Sequence, residues 1–341
     1  MKGMILAAGY GTRLRPLTWM LPKPMVPLCN RPLIGWAVEA FRQAGIHDLI
    51  VNVHHLPEKI ASYLHETCGN EIDCFISVEQ EILGTGGGVR RVRDRLTGEE
   101  PFFLVNADTI QFPHYQALAE ALRSSGSLAA LTLRHPPAGD RFTPVWRNPE
   151  GGWVTGFGTG EGEALMFAGS HAISPRIFDH LPDRAFSGIV EDVYQPVISS
   201  GSESLTSVLD DGLWFDIGTP DRYLSASAGI LDAIIRGEVK PPAGSELRDD
   251  SLLHQTASAS GSVVHSVAGA GSSIAGNIRE SILWSDCVIG RGVTLDRCIV
   301  ASGVTLDKAV HLRNVIICPE DPAIPADYRR LDGLVIVNTG E

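Results

Sequence analysis

Residues 4–8 form a short apolar run, Met-Ile-Leu-Ala-Ala. It opens directly into Gly9-Tyr10-Gly11-Thr12-Arg13-Leu14-Arg15-Pro16, and Pro22-Lys23-Pro24 follows closely. A run this short and this apolar reads as a strand buried on both faces, which is the mark of a parallel sheet. In such sheets ligands bind beyond the carboxyl ends of the strands, where this loop begins. Glycines let the backbone approach a ligand, and successive N–H groups make an anion-binding nest. Arg13, Arg15 and Lys23 add charge suited to phosphate oxygens. Two common phosphate loops are excluded. Leu14 stands where a dinucleotide fingerprint needs its third glycine, and no G-x-x-x-x-G-K-[ST] string occurs in the chain.

The pattern after this loop supports the same fold class. Strand-like runs at 4–8, 49–53, 75–78, 102–106 and 128–133 alternate with helical spacing at 33–44, 57–66, 88–96 and 114–124. Alternation at these lengths predicts an α/β domain with a mostly parallel, Rossmann-like sheet over residues 1–235. Residues 236–260 carry Lys240-Pro241-Pro242-Ala243-Gly244-Ser245 and a run of small polar residues, which reads as a linker. Beyond it, Ile289 and Leu295 are six apart. Val300, Leu306 and Leu312 are again spaced by six after a one-residue slip, and Val304 and Val310 keep that period. A hexapeptide period with one apolar residue per face predicts a parallel β-helix over 261–335. The alternative is a plain antiparallel β appendage.

Composition narrows the partners. The 341 residues are 44% hydrophobic and 20% charged, with a net charge of −12. No Lys/Arg block is dense enough for a nucleic-acid surface. No apolar stretch approaches the roughly 18 residues of a membrane span. The apolar N-terminal run is short and lacks a cleavage site, so a cytoplasmic protein is expected. Cys29, Cys68, Cys74, Cys287, Cys298 and Cys318 show no C-x-x-C pair and no metal spacing, and read as free thiols.

The string L-A-A-G-x-G-T-R-L-x-P-L-T followed by P-K-P resembles the signature of the sugar-1-phosphate nucleotidyltransferases, also called NDP-sugar pyrophosphorylases. Leu213-Trp-Phe-Asp-Ile-Gly-Thr-Pro220 resembles the same family's W-x-D-I-G-T-P motif. Leu83-Gly84-Thr85-Gly86-Gly87 is similar to its L-G-T-A-G segment. The tail resembles the left-handed β-helix that several of these enzymes carry.

The resemblance implies a set of roles. Leu6, Ala7, Ala8, Gly9, Gly11, Thr12 and Arg13 would line the nucleotide, with Gly84, Thr85 and Asn106. Glu79 would accept N–H donors from the base. Arg13 and Lys23 would be catalytic, with Arg13 on the leaving pyrophosphate and Lys23 between the two reacting phosphates. Asp108 and Asp216 would hold Mg²⁺, with Ala107 in the place of the family's usual glycine. The sugar side would involve Lys23, Gly158, Gly169, His171 and Glu191. For His171 the residue itself leaves two readings open, ligand contact or a satisfied strand histidine. The Glu-Lys-Pro lysine of many members is absent. Adjacent His54 and His55 point to opposite faces of a strand, so they read as structural.

The implied reaction joins an NTP and a sugar 1-phosphate to an NDP-sugar and pyrophosphate. GTP with mannose 1-phosphate is the first choice, as in mannose-1-phosphate guanylyltransferases. The alternatives are UTP with an amino-sugar 1-phosphate, as in N-acetylmuramate-1-phosphate uridylyltransferases, a phosphate monoester such as phosphocholine in place of the sugar, or a non-catalytic regulatory subunit. The tail is expected to mediate a homo-oligomer.

Overall fold

The computed structural model describes residues 1–98, 100–137, 139 and 141–340. The chain divides into two compact units. One comprises Met1–Gly9 with Ile34–Trp214, the other Tyr10–Leu33 with Phe215–Glu341.

The first unit is built on a nine-stranded sheet. Strand β1 (Lys2–Ala7) lies at its centre, with β2 (Asp48–Val53) on one side and β4 (Phe102–Asn106) on the other, both parallel to it. Strand β3 (Asp73–Val78) extends the sheet in parallel beyond β2. Strand β5 (Ala129–Arg134) pairs in parallel with β7 (Leu205–Leu209). The long β6 (Glu163–Ile173) runs antiparallel to both β4 and β5. The mostly parallel sheet expected from the alternation is therefore present, with β6 inserted antiparallel and the short Val145–Arg147 and Val154–Phe157 joined beyond it by antiparallel pairing.

Local chemistry accounts for these elements. Phe102, Phe103, Leu104 and Val105 are all buried, as a strand covered on both faces requires. Helix α1 (Leu33–Gln43) and helix α4 (Tyr115–Ser125) supply the cover. Phe41 stacks on Tyr115 at 4.9 Å, and Phe103 meets the same ring edge-on at 5.0 Å. In α4 the buried Tyr115, Leu118, Ala119 and Leu122 fall on one helical stripe. Gly126, at φ 64°, closes that helix by donating its N–H to the Leu122 carbonyl. Helix α2 (Pro57–Cys68) buries Ile60, Leu64 and Cys68 at four-residue spacing.

The second unit contains α5 (Pro220–Ile235), capped by the Thr219 hydroxyl with Pro220 in its first turn, and a parallel β-helix. Three ladders of short strands form the β-helix faces. Leu252, Val267, Ile282, Ile299 and Ile316 stack on one face. Ser273, Val288 and Thr305 stack on the second, and Ile278, Leu295 and Leu312 on the third. Leu253, Ile274, Ile289, Leu295, Val300 and Leu306 fill the interior. Corner residues Asp249, His265, Glu280, Arg297 and Asn314 share a left-handed backbone at φ 45–53°. The hexapeptide period is thus one apolar residue per face, and its slip marks a shorter corner.

One boundary differs from the sequence reading. The small polar stretch before residue 260 is the first coil, not a linker: Ser245–Arg248, Ser251–His254 and Ser258–Ala259 are strands. Its Ser251 begins a buried ladder of serines that continues on the following coils. The Ser251 hydroxyl accepts from the Ser266 N–H, Ser266 from the Ser281 N–H, and Ser281 from the Cys298 N–H, all at 3.0–3.1 Å. Polarity there serves coil-to-coil hydrogen bonding. Antiparallel pairing also occurs, but only at the ends: Ser245–Arg248 covers the first coil, and Leu334–Asn338 covers the last through Val315–Pro319.

Candidate active site

The loop leaving β1 is shaped by packing that only glycine permits. Gly11 sits at φ 62°, and a Cβ there would lie 2.7 Å from the Lys23 Cβ. The Thr18 hydroxyl donates to the Gly11 carbonyl at 2.8 Å and fixes the turn. A short 3-10 turn, Thr12–Leu14, then carries exposed Thr12 and Arg13, with Leu14 buried beneath them. A second 3-10 turn, Lys23–Met25, carries Lys23, whose stem is buried. Within the same unit, Gly218 lies between Arg13 and Asp216. A Cβ on it would stand 3.0 Å from an Arg13 guanidinium nitrogen and 3.1 Å from Asp216 Oδ2. Arg222, one turn into α5, pairs with Asp216 Oδ2 at 2.7 Å. This unit therefore gathers Arg13, Asp216 and Arg222 around a buried glycine. The N-terminal cap of α5 is Thr219, so Asp216 is not needed as a helix cap.

In the first unit, the end of β1 is clamped from the side. Ala7 donates its N–H to Asn52 Oδ1 at 3.0 Å, and Leu6 accepts from the Ala107 N–H. Ala8 is buried, while Gly9 is exposed with open space where a side chain would project.

Asn52 continues to Glu79, donating to Oε1 at 2.7 Å. The other oxygen, Oε2, accepts from the Leu83 N–H at 3.0 Å. Glu79 is only 2% exposed. Both oxygens are engaged by the protein, and the carboxylate fastens the 80–83 turn to β2. His54 Nδ1 donates to the Glu79 carbonyl at 2.9 Å, a structural contact in keeping with its reading.

The glycine-rich stretch after this turn is helix rather than loop. Helix α3 (Gly84–Arg91) begins four residues earlier than its apolar spacing indicates. Its glycines admit the neighbouring segment. A Cβ at Gly84 would lie 2.5 Å from the Ser187 carbonyl, and one at Gly87 2.3 Å from the Ala185 carbonyl. Gly86 and Gly87 donate to Ser187, and Thr85 Oγ1 accepts from the Ile189 N–H at 2.7 Å. Close backbone packing within the protein therefore accounts for Gly84 and Thr85.

At the end of β4, Asn106 and Asp108 are half-buried. Asn106 meets β6 at Gly169, where the strand's register shifts and φ is 90°; a Cβ there would strike the Asn106 amide nitrogen at 2.9 Å. Beside this strand lies a cleft of about 290 Å³ lined by Phe142, Phe157, Phe167, Met166, Glu191 and Gln195 among others. Glu191 is exposed, one residue into a π-turn, Val190–Tyr194. Its neighbour Asp192 instead accepts from the Gly188 N–H and pairs with Arg184, which holds its carboxyl below the usual range. Gly158 is an exposed turn next to Phe157, at φ 78°, donating to the Pro144 carbonyl.

His171 is not in the cleft. It is 3% exposed, hydrogen-bonded through Nδ1 to the Tyr194 hydroxyl at 2.7 Å, and edge-on to Phe167 and Tyr194. Burial pushes its pKa down to about 3, so it is neutral. Of its two readings, the structure supports the satisfied strand histidine.

Sequence reasoning did not find Asn52, Arg222 or Tyr194. Asn52 left a signal, a lone polar residue inside the apolar run Leu49–Val53. Arg222 and Tyr194 left none, since their partners lie on other elements. Among the described residues no group of three or more His, Cys, Asp or Glu is gathered for a metal. The donor types of Asp108 and Asp216 do suit magnesium, which takes hard oxygen ligands and completes its shell with phosphate and water.

A parallel α/β sheet with a cation-bearing glycine loop after its first strand, joined to a hexapeptide-type β-helix, defines a transferase that works on phosphate esters. The chain belongs to the nucleotidyl transferase family, whose model matches residues 2–233, and the GlmU-like C-terminal hexapeptide model matches residues 250–328. It is 29% identical to a probable mannose-1-phosphate guanylyltransferase 1 of Oryza sativa subsp. japonica, over 87% of this chain and 80% of that one. It is 30% identical to a mannose-1-phosphate guanyltransferase of Debaryomyces hansenii, over 74% and 70%. The crystal structure of HddC from Yersinia pseudotuberculosis complexed with GMP-PN shares the fold, with a TM-score of 0.56 at 19% identity, over 67% of this chain and 99% of that one. The chain is thus a nucleotidyltransferase with a left-handed β-helix of hexapeptide repeats. No described helix is long and apolar enough to cross a membrane.

Proposed function

We propose that the protein transfers guanylyl from GTP to mannose 1-phosphate. A phosphate oxygen of the sugar phosphate attacks the α-phosphorus, the bond to the bridging oxygen of the β-phosphate breaks, and pyrophosphate leaves in line with the attack. GDP-mannose is the other product. The relatives named above support the choice of base and sugar. The observation that carries the reading is the Arg13–Gly218–Asp216 cluster, which joins the glycine loop to the second carboxylate motif in one unit.

In this reading the chain's work is positioning and charge neutralisation. Arg13 meets the leaving pyrophosphate, and Lys23 bridges the sugar phosphate and the α-phosphate. The glycine loop from Leu6 to Thr12 cradles the nucleotide, with Asn106 beside it. Asp108 and Asp216 would hold Mg²⁺, which offsets phosphate charge when bound. Arg222 orients the Asp216 carboxylate through its contact with Oδ2. The aromatic cleft with Glu191 at its rim takes the sugar, with Gly158 and Gly169 shaping its walls. His171 and Glu79 act behind the site, as support. Six thiols, none of them in a disulfide, support a reducing cytosolic setting.

A second reading, UTP with an N-acylated amino-sugar 1-phosphate, draws on the apolar walls Phe142, Phe157, Phe167 and Met166, which suit an acyl group. The role of Lys23 is common to both. Lys23→Ala is expected to lower kcat by about 100-fold or more while changing nucleotide affinity little, since its charge matters most as the transition state forms. Pyrophosphate release and nucleotide titration check this, and full turnover in the variant would overturn the assignment.

A further inference from the structure

We propose that the β-helix takes part in catalysis by holding the segment that carries Lys23, with Trp284 and Asn30 as positioning residues. The inference rests on the role given to Lys23 above.

Lys23 stands at the start of a tightly closed stretch. Met25 donates to the Pro22 carbonyl, Val26 to the Lys23 carbonyl and Leu33 to the Val26 carbonyl, at 2.8–3.1 Å. Between them lies a small hairpin, Pro27–Leu28 paired with Arg31–Pro32. Its two-residue turn, Cys29 and Asn30, has φ of 47° and 65°. Neither residue is glycine, and a cysteine in the left-handed region is held there only by surrounding contacts. Those contacts come from α5 and the β-helix. Cys29 is fully buried, and its thiol donates to the Ser227 carbonyl of α5. The Asn30 amide donates to the Ser245 hydroxyl and to the Ala268 carbonyl, both at 3.1 Å, on the first coils of the β-helix.

The foot of the hairpin is tied as well. The Tyr223 hydroxyl donates to the Pro27 carbonyl and accepts from Trp284 Nε1 at 3.0 Å. Tyr223 and Trp284 are both buried. A buried hydroxyl without partners is costly, so this pair fixes the hydroxyl toward Pro27. Four residues before Pro27 is Lys23. The hairpin is therefore gripped at tip and foot by rungs of the tail, and the lysine is anchored through it. A group bridging two reacting phosphates has to sit within a few tenths of an ångström of its place, because a displacement of about 1 Å can cost about 100-fold in rate.

The test uses the full-length protein. Trp284→Phe keeps an aromatic side chain, though a smaller one, and removes the N–H, and Asn30→Asp keeps the size and removes the donors. Both are expected to lower kcat by about 10-fold, with the nucleotide KM within about 2-fold of the parent. Ile317→Ala, a core change in the last parallel strand of the β-helix, is expected to lower thermal stability but keep kcat. Unchanged kcat in Trp284→Phe, or an equal loss in Ile317→Ala, would overturn the positioning role. Amide hydrogen exchange over residues 23–33 supplies a readout independent of activity. Faster exchange in Trp284→Phe supports the tie, and unchanged exchange refutes it. A parent protein inactive on every NTP and sugar 1-phosphate would defeat the reading of Lys23 instead, leaving the exchange result to decide the tie.

Discussion

At the scale of single residues, what chemistry a side chain offers was plain from the sequence, while the direction it faces was not. Glu79 and His171 both sit where the family resemblance puts ligand contacts, yet both are sealed inside and satisfied by Asn52 and Tyr194. Strand alternation gives the face of a residue only relative to its neighbours, and the tertiary partner decides whether that face is open. His171 yields a test of its burial. The unfolded histidine takes up a proton near its ordinary value of 6.5, whereas the buried one stays neutral down to about 3. Acid therefore favours the unfolded chain through this group. Its contribution is intact above about pH 6.5 and is lost as pH falls toward 3, at up to roughly 1.4 kcal/mol per pH unit. Urea unfolding of the parent and of His171→Gln between pH 7 and pH 5 should show a shallower acid loss in the variant. Identical slopes would mean that the ring is not held neutral.

At the scale of elements, the strands and helices of the sheet domain were legible because their apolar periods are strong. The strands expected at 49–53 and 102–106 are Asp48–Val53 and Phe102–Asn106. The two misplacements share a cause. Glycines at 84–87 lie before the helix that apolar spacing predicts but form the start of α3, and the segment at 245–259 reads as a linker but forms strands of the first coil, where Ser251 begins a coil-to-coil ladder. In both, small residues are there to let backbones meet, which local propensity does not register. Gly84→Ala tests the helical case. Left-handed φ and a Cβ 2.5 Å from the Ser187 carbonyl both oppose the methyl group. A loss of about 2 kcal/mol or more is expected from the urea midpoint at unchanged slope. A neutral substitution would mean that the 185–189 segment does not press on this turn.

At the scale of the whole molecule, the six-residue period identified the tail's architecture, because a β-helix writes its geometry into sequence spacing. What the tail touches was invisible, since hairpin contacts such as Asn30 to Ala268 join residues with no pattern in common. We expect the tail to serve assembly as well as positioning. Val264 and Val288 point outward from two of its faces at 41% exposure, apolar surface that a second copy would cover. Light scattering of the full chain should give a multiple of the single-chain mass, and a monomer at micromolar concentration would contradict that expectation.

The reaction itself is the central test. The direct measurement is pyrophosphate release from a matrix of GTP, UTP, ATP, CTP and dTTP against mannose 1-phosphate, glucose 1-phosphate and N-acetylated amino-sugar 1-phosphates, with Mg²⁺ present. The highest kcat/KM is expected for GTP with mannose 1-phosphate, with release that requires both substrates. A preference for UTP with an amino-sugar phosphate would replace the substrate assignment, and no release from any pair would contradict a nucleotidyl transfer to a sugar phosphate.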